Sequence, residues 1–275
     1  MTLVVLVTGC STGGIGFALC NEFARQGCKV YATARDVEKM GEFEYGGIKK
    51  LPLDVTSDEA VERTVHHIVE VEGQIDVVVN NAGSFCSGPL IDQSLDDVKR
   101  NFDTNTYSVL RTAKAAIPYM AKRRSGVIVN IGSVVGEIAT PWNGLYCASK
   151  AAVQSISDVL YMECKPFNVK VLHVAPGAVV SNISANGGAR FSLPENSLYT
   201  AFLPNILQRI YASQASNAMP ADVFAQKVVS KALSRRPPLY MSLGGTSRIF
   251  AFFKWLPKTW VLFLMWRVYS KKIKT

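Results

Sequence analysis

The chain has no CxxC pair and no cysteine at metal-ligand spacing from a histidine, so it offers neither a zinc ribbon nor a dithiol redox motif. Its six cysteines (Cys10, Cys20, Cys28, Cys86, Cys147 and Cys164) read as reduced, mostly buried thiols of a cytosol-facing protein. Histidine is scarce. His66, His67 and His173 are scattered and read as structural, and no metal site is expected. No apolar run approaches the roughly 20 residues of a spanning helix. No leader-like stretch precedes the first strand, expected from about residue 3. Internal repeats, low-complexity tracts and interdomain linkers are missing as well. The sharpest lack is local: Val223 to Thr275 holds eleven Lys or Arg and no Asp or Glu. The first 222 residues hold 19 basic against 21 acidic, so the net charge of +9 originates in the C-terminal part.

What is present alternates. Apolar runs predict strands near 3–7, 28–33, 48–52, 75–79, 126–131, 169–174 and 238–241. Helical patterns fall near 14–26, 57–72, 94–122, 144–164 and 220–234. Alternation of this kind predicts an α/β fold: one doubly wound parallel sheet with helices on both faces, for which 275 residues supply ample core.

Chemistry concentrates at the strand ends. Leu3 to Val7 is followed by Thr8-Gly9-Cys10-Ser11-Thr12-Gly13-Gly14-Ile15-Gly16 and then a helix. Strand, glycine-rich turn and helix together make a dinucleotide pyrophosphate site, because backbone can approach the phosphates at a helix N-terminus. A plain strand–helix turn would not need four glycines in eight residues. At the tip of the next strand, Ala34 stands where an acidic residue would hold the ribose of NAD, and Arg35 follows. A guanidinium matches the 2′-phosphate of NADP, with Ser11 as an added hydroxyl donor. The bland reading of Arg35 is a solvated charge, and Asp36 reads as a helix cap. Asn80-Asn81-Ala82-Gly83 follows a third apolar run, at the edge where open α/β sheets bind ligands.

Tyr146 and Lys150 are one helical turn apart, thirteen residues after Ser133. A free phenol has a pKa of about 10. A fixed ammonium on the same helix face is expected to lower it toward the range where a tyrosine can exchange protons.

With these residues in place, the chain resembles a short-chain dehydrogenase/reductase of the TGxxxGxG, NNAG, Ser, YxxxK type over about residues 3 to 240. The glycine motif here is one residue longer than the family's. Gly14-Ile15-Gly16 is aligned with the family's GIG, and the choice between Gly13 and Gly14 for the middle role stays open. The resemblance implies a Rossmann fold with Asn105, Ser133, Tyr146 and Lys150 as catalytic residues. It implies NADPH or NADP as cofactor, held by Gly9, Ser11, Gly14, Ile15, Gly16, Arg35, Asp54, Val55, Asn81, Ala82, Gly83, Tyr146, Lys150, Pro176, Gly177, Val179 and Ser181. Tyr146 would donate a proton to a ketone oxygen held with Ser133, Lys150 would tune the tyrosine, and Asn105 would support a water chain. Taken alone, Ser133 reads as a small strand-end residue and Asn105 as a polar helix residue. The family also implies a homodimer or homotetramer, paired through the long helices near 94–122 and 144–164.

The expected organisation is a reductase domain over 1–246, with a polar substrate lid at 180–217, and a basic, aromatic tail over 247–275. The tail carries Trp255, Trp260 and Trp266 among Lys and Arg, ending in the Lys271–Lys274 run. That mixture suits a lipid–water boundary, as an interfacial anchor or shallow hairpin. The alternative is a helix packed on the protein's own substrate pocket or on a dimer partner. Clustering of the aromatics with aliphatics argues against nucleic acid as a partner. Segments Leu193–Tyr199, Glu163–Val169 and Met219–Asp222 resemble fungal NADPH-dependent 1-acyl-dihydroxyacetone-phosphate reductases. That implies a small-molecule lipophilic ketone substrate reduced to lysophosphatidate, with Arg190 as a candidate phosphate contact. It also implies a cytosol-facing membrane surface, of the endoplasmic reticulum or a lipid droplet, against a cytoplasmic alternative. Rival readings are a polyketide, steroid or retinoid ketoreductase, and a non-catalytic membrane-associated protein on the same scaffold.

Overall fold

Among the described residues, seven strands form one sheet, every pair parallel, in the order 3-2-1-4-5-6-7. They are β1 (Val4–Thr8), β2 (Lys29–Ala34), β3 (Ile48–Pro52), β4 (Val77–Asn80), β5 (Gly126–Ile131), β6 (Val169–Pro176) and β7 (Tyr240–Leu243). The computed structural model describes residues 2–189, 191–214 and 216–270; Arg190 and the Lys271–Lys274 run lie outside the described residues.

β1 is buried along its whole length, and apolar up to Thr8, because both of its faces are covered. Val5 and Val7 point to the layer of α1 (Ile15–Arg25) and α8 (Ala221–Ala232), joining Leu19, Phe23, Phe224 and Val228. Val4 and Leu6 point the other way, to α2 (Asp58–Glu72) and α4 (Ser108–Arg123), joining Val65, Ile68, Ala116 and Met120. α2 shows why such segments become helices. Ser57 accepts the Ala60 N–H at its start, Val61, Val65 and Ile68 form an inward stripe, and Gly73 at φ 74° ends it in the left-handed conformation.

The strand order reverses between β1 and β4, and a parallel sheet opens a crevice at such a point. Both motif turns meet there. Asn81 Nδ2 donates to Thr8 O at 2.8 Å and Gly9 O at 2.9 Å, while the Asn81 and Ala82 N–H groups both reach Thr8 Oγ1 at 3.0 Å. Behind the crevice a buried polar ladder crosses the sheet. Asn80 Nδ2 donates to Asn130 Oδ1 at 2.8 Å, Asn130 Nδ2 to Ser157 Oγ at 2.9 Å, and Ser157 meets His173 Nδ1 at 3.2 Å. Burial, with the charges of Lys150 and Lys254, lowers His173 to about 4, so the ring is neutral and structural.

Where one helix is expected over 94–122, the structure has α3 (Leu95–Phe102) and α4, joined through a π-helical turn at Asp103–Tyr107. The extra residue in that turn puts Asn105 inward, where its amide bonds Ser84 and Ser149. The 180–217 segment contributes α6 (Ile183–Gly188) and α7 (Leu203–Ile210). The tail forms α9 (Ser247–Phe253) and α10 (Lys258–Tyr269); α5 (Gly144–Glu163) contributes Tyr146 and Cys147 beneath them. Phe250, Val261 and Met265 are buried against Val134, Val135, Ile138 and Cys147. Lys254 Nζ pairs with buried Glu137 at 2.7 Å, and Trp142 Nε1 donates to Tyr269 O at 2.8 Å. The inner side of the tail therefore packs on the protein, as in the alternative weighed for it. No helix among the described residues is long and apolar enough to cross a membrane.

Candidate active site

A cleft of about 590 Å³ runs along the carboxyl ends of β1, β4, β5 and β6. One end is lined by Gly9, Ser11, Gly14, Ile15, Ala34, Arg35, Asp54 and Val55. Its middle is bordered by Asn81, Ala82, Gly83, Ser133, Tyr146, Lys150, Pro176, Gly177, Val179 and Ser181. Two expected residues stand outside it. Gly16 is buried under the glycine turn, where a Cβ would lie 2.5 Å from Gly9 O and Asn81 Nδ2, so it allows close helix–strand packing instead of touching a ligand. Asn105 is buried too. Its Oδ1 accepts from Ser84 N at 2.7 Å and its Nδ2 donates to Ser84 O at 2.9 Å and Ser149 Oγ at 3.0 Å. Its side chain braces the loop after β4 against α5.

The glycine turn settles its own register. Gly13 takes φ +74° and would press a Cβ against the Asn182 side chain at 3.1 Å, whereas Gly14 is the N-cap of α1 and borders the cleft. Asp36 caps residues 37–39 by accepting from Glu38 N at 3.1 Å, which leaves Arg35 at the cleft edge as the cation of the β2 tip. Burial pushes the Asp54 carboxyl up, but the N–H and hydroxyl of Thr56, at 3.0 and 2.8 Å, bring it below its ordinary value. It is ionised at neutral pH and can accept ligand hydrogen bonds.

The electrostatics of the tyrosine run against the simple expectation. Burial pushes Tyr146 up to about 12, the neighbouring Cys147 adds to this, and a hydrogen bond with Ser133 and the charge of Arg209 only partly offset it. The Lys150 ammonium lies 5.7 Å from the centre of the Tyr146 ring and donates to Ile131 O at 2.8 Å. Burial lowers Lys150 itself to about 8. Desolvation of the phenol outweighs a cation that faces the ring. The result is a protonated phenol at neutral pH, which is the form a proton donor requires. Phe85 fixes the ring by an edge contact, with centroids 5.0 Å apart at 71°.

A family model described as short chain dehydrogenase matches residues 3–190. The chain is a short-chain dehydrogenase. It is an oxidoreductase with relatives of similar length. A short-chain dehydrogenase of Penicillium ochrochloron, ptmH, is 38% identical over 234 residues, covering 84% of this chain and 85% of the relative. The NADPH-dependent 1-acyldihydroxyacetone phosphate reductase of Schizosaccharomyces pombe is 38% identical over 208 residues, covering 74% and 70%. The solved short-chain dehydrogenase of Streptomyces avermitilis superposes with a TM-score of 0.83 at 27% identity, covering 100% of this chain and 99% of that one. ElxO, solved with NADP bound, gives 0.73 at 25% identity, covering 90% and 100%.

Sequence reading missed several residues of this dehydrogenase's cleft. Phe85, two residues past the NNAG turn, was within reach of a motif argument. Arg209, Phe250 and Tyr269 come from α7, α9 and α10, and only the fold brings them to Tyr146. A Gly9→Ala substitution tests the phosphate end. Gly9 has φ +74°, and its Cβ would lie 2.7 Å from Ala82 Cα. The expected result is a loss of about 1–3 kcal/mol in stability from backbone strain, with dinucleotide binding lost as the turn shifts. Urea unfolding and a cofactor titration measure the two parts.

Proposed function

We propose that this dehydrogenase uses NADPH to reduce a ketone on a lipophilic substrate. The observation that carries the reading is the convergence of Ser133, Tyr146 and Lys150 on one cleft, between a glycine-built phosphate turn and an apolar wall of Phe85, Ile210, Phe250 and Tyr269. The residues fit a dinucleotide. Gly9 and Gly14 leave no side chain between backbone and phosphate, Asp54 can accept from the adenosine end, and Arg35 suits a 2′-phosphate. The bound nicotinamide supplies hydride; the protein supplies position and a proton. Ser133 and Tyr146 present two hydroxyls to a carbonyl oxygen, and Tyr146 holds its proton until the oxygen becomes basic enough to take it.

The finer reading is reduction of 1-acyl-dihydroxyacetone phosphate to lysophosphatidate, supported by the Schizosaccharomyces pombe relative's named activity and by the apolar cleft wall. Polyketide, steroid and retinoid ketones share the apolar character and lack the phosphate. The test is NADPH oxidation by the purified protein with 1-acyl-dihydroxyacetone phosphate, its unphosphorylated analogue and neutral ring ketones, each repeated with NADH. Turnover of the phosphorylated ketone with NADPH, at the highest kcat/KM of the set, is expected. Turnover of none of them would end the reductase reading.

The outer side of the tail supports a membrane-surface location. Trp255 is 87% and Trp260 66% exposed, beside exposed Ile249, Phe252 and Phe263, with Arg248, Lys258 and Arg267 around them and no acidic residue in the segment. Indoles and cations on one exposed surface gain at an anionic bilayer. Vesicles of phosphatidylcholine and phosphatidylserine are expected to sediment the protein. A Trp255→Ala/Trp260→Ala variant should bind them at least about tenfold more weakly, a change of ~1.4 kcal/mol. Deleting the tail is the poorer experiment, because it also strips Phe250 and Tyr269 from the cleft. A wild type that stays in the supernatant defeats the reading.

A further inference from the structure

Arg209 is 8% exposed, yet it lines the cleft. It sits on the buried face of α7 with Asn205, Ile206 and Ile210, the one cation among them. Among the described residues all of its partners are neutral. Nε and Nη2 both donate to Thr140 Oγ1 at 3.1 Å, and the Tyr269 ring lies 5.3 Å from the guanidinium carbon. With the Asn143 amide turned so that its own neighbours are satisfied, its oxygen accepts from Nη2 at 2.6 Å. No protein acceptor among the described residues takes the hydrogens of Nη1. Buried charges are normally paired, because leaving one unpaired in a low-dielectric site costs several kcal/mol. The buried Glu137 nearby obeys that rule through Lys254. Arg209 has no such partner among the described residues, and it borders a cleft open to an anionic ligand.

We propose that Arg209 is an anion subsite of the substrate cleft, taking an oxyanion carried by the ketone, either a phosphate monoester or a carboxylate. The proposal rests on the cleft being a ketone-reducing site, and it specifies what else the ketone must bear. A guanidinium fork whose Nε and Nη2 are tied to Thr140 keeps Nη1 oriented for an oxygen ligand. Apolar Phe85, Ile210, Phe250 and Tyr269 line the same cleft, so the ligand has an apolar part as well as its anion. Arg209 and Tyr146 line the same cleft, so the anion and the carbonyl belong to one substrate. Arg35 lies at the other end of the cleft, beyond the glycine turn, and serves a different phosphate. The competing role for Arg209 is a clamp between α7 and the 140–143 loop, and the experiment separates the two.

Binding is read without turnover, by quenching of tryptophan fluorescence, since Trp142 packs against Ile206 and Ile210. The probes are dodecyl phosphate, dodecanoate and dodecanol, on wild type, Arg209→Gln and Arg209→Lys. Wild type is expected to prefer at least one anion over the alcohol by about 10- to 100-fold, the range charged hydrogen bonds supply. Arg209→Gln should lose most of that preference, and Arg209→Lys, keeping charge without the fork, should keep part of it. The tighter of the two anions identifies the group. Equal binding of anions and alcohol by wild type overturns the proposal. So does an undiminished anion preference in Arg209→Gln, or in Arg209→Lys if the glutamine variant does not fold. Failure of every ketone to consume NADPH is a separate result and would count against the reductase reading alone.

Discussion

Tyr146→Phe is expected to lower kcat for ketone reduction by about 10²- to 10⁴-fold, the range a positioned proton donor contributes. Phenylalanine keeps the ring that meets Phe85 edge-on and the buried packing around it. It removes one oxygen and its proton. Fold and cofactor affinity should therefore stay near wild type, as checked by thermal melts and NADPH titration, while turnover collapses. The pH dependence gives an independent sign. With the phenol held up at about 12, Tyr146 stays protonated through the neutral range, so its own deprotonation imposes no alkaline limb on reduction there. Oxidation of the product alcohol needs the opposite form, and its rate should climb as pH rises toward that value. A Phe variant with full turnover would remove Tyr146 from the chemistry, leaving Ser133 as the hydroxyl that faces the cleft.

Much of this architecture was legible from residues alone, for identifiable reasons. Strands β1, β4 and β5 are apolar on both faces, so their composition marks them wherever they lie. The glycine turn and the Tyr146/Lys150 pair are local patterns whose spacing is preserved by one turn and one helix. What escaped depends on partners distant in sequence. The break between α3 and α4 arises because Asn105 bonds Ser84 and Ser149, which no window around residue 105 contains. The tail could not be placed from composition, since Trp142 and Glu137 supply its anchors from the middle of the chain. Arg190 is the cation the sequence offers for a phosphate, and it lies outside the described residues. Arg209, three residues after Ile206 and one before Ile210 on α7, reaches the cleft only through the fold. The phenol's pKa was misjudged in direction because burial depends on the elements that close over the cleft, while the Lys150 spacing was visible at once.

Lys150 offers the second large effect, and its two pH signatures run in opposite directions. Its ammonium is buried, donates to Ile131 O at 2.8 Å and is lowered to about 8 by desolvation. Below that value it carries the charge beside Tyr146; above it the charge is gone. Activity is therefore expected to fall as pH rises through about 8, with Lys150→Met lowering kcat/KM by about 10²-fold or more at neutral pH if it helps orient the acid. Stability must behave differently. A lysine whose folded value lies below its unfolded one binds more protons in the unfolded chain, so its contribution improves as pH rises from about 8 toward 10.5. At neutral pH the buried charge costs about 3 kcal/mol by the same linkage. Lys150→Met should remove that cost, less the lost bond to Ile131 O, and melt no lower than wild type while being nearly inactive. Urea unfolding across this alkaline range, set beside the activity profile, tests the pair. If activity and stability fell together above pH 8, alkaline unfolding and not loss of the ammonium would account for the lost turnover. A methionine variant much less stable than wild type at neutral pH would mean that Lys150 is held in place as a structural cation.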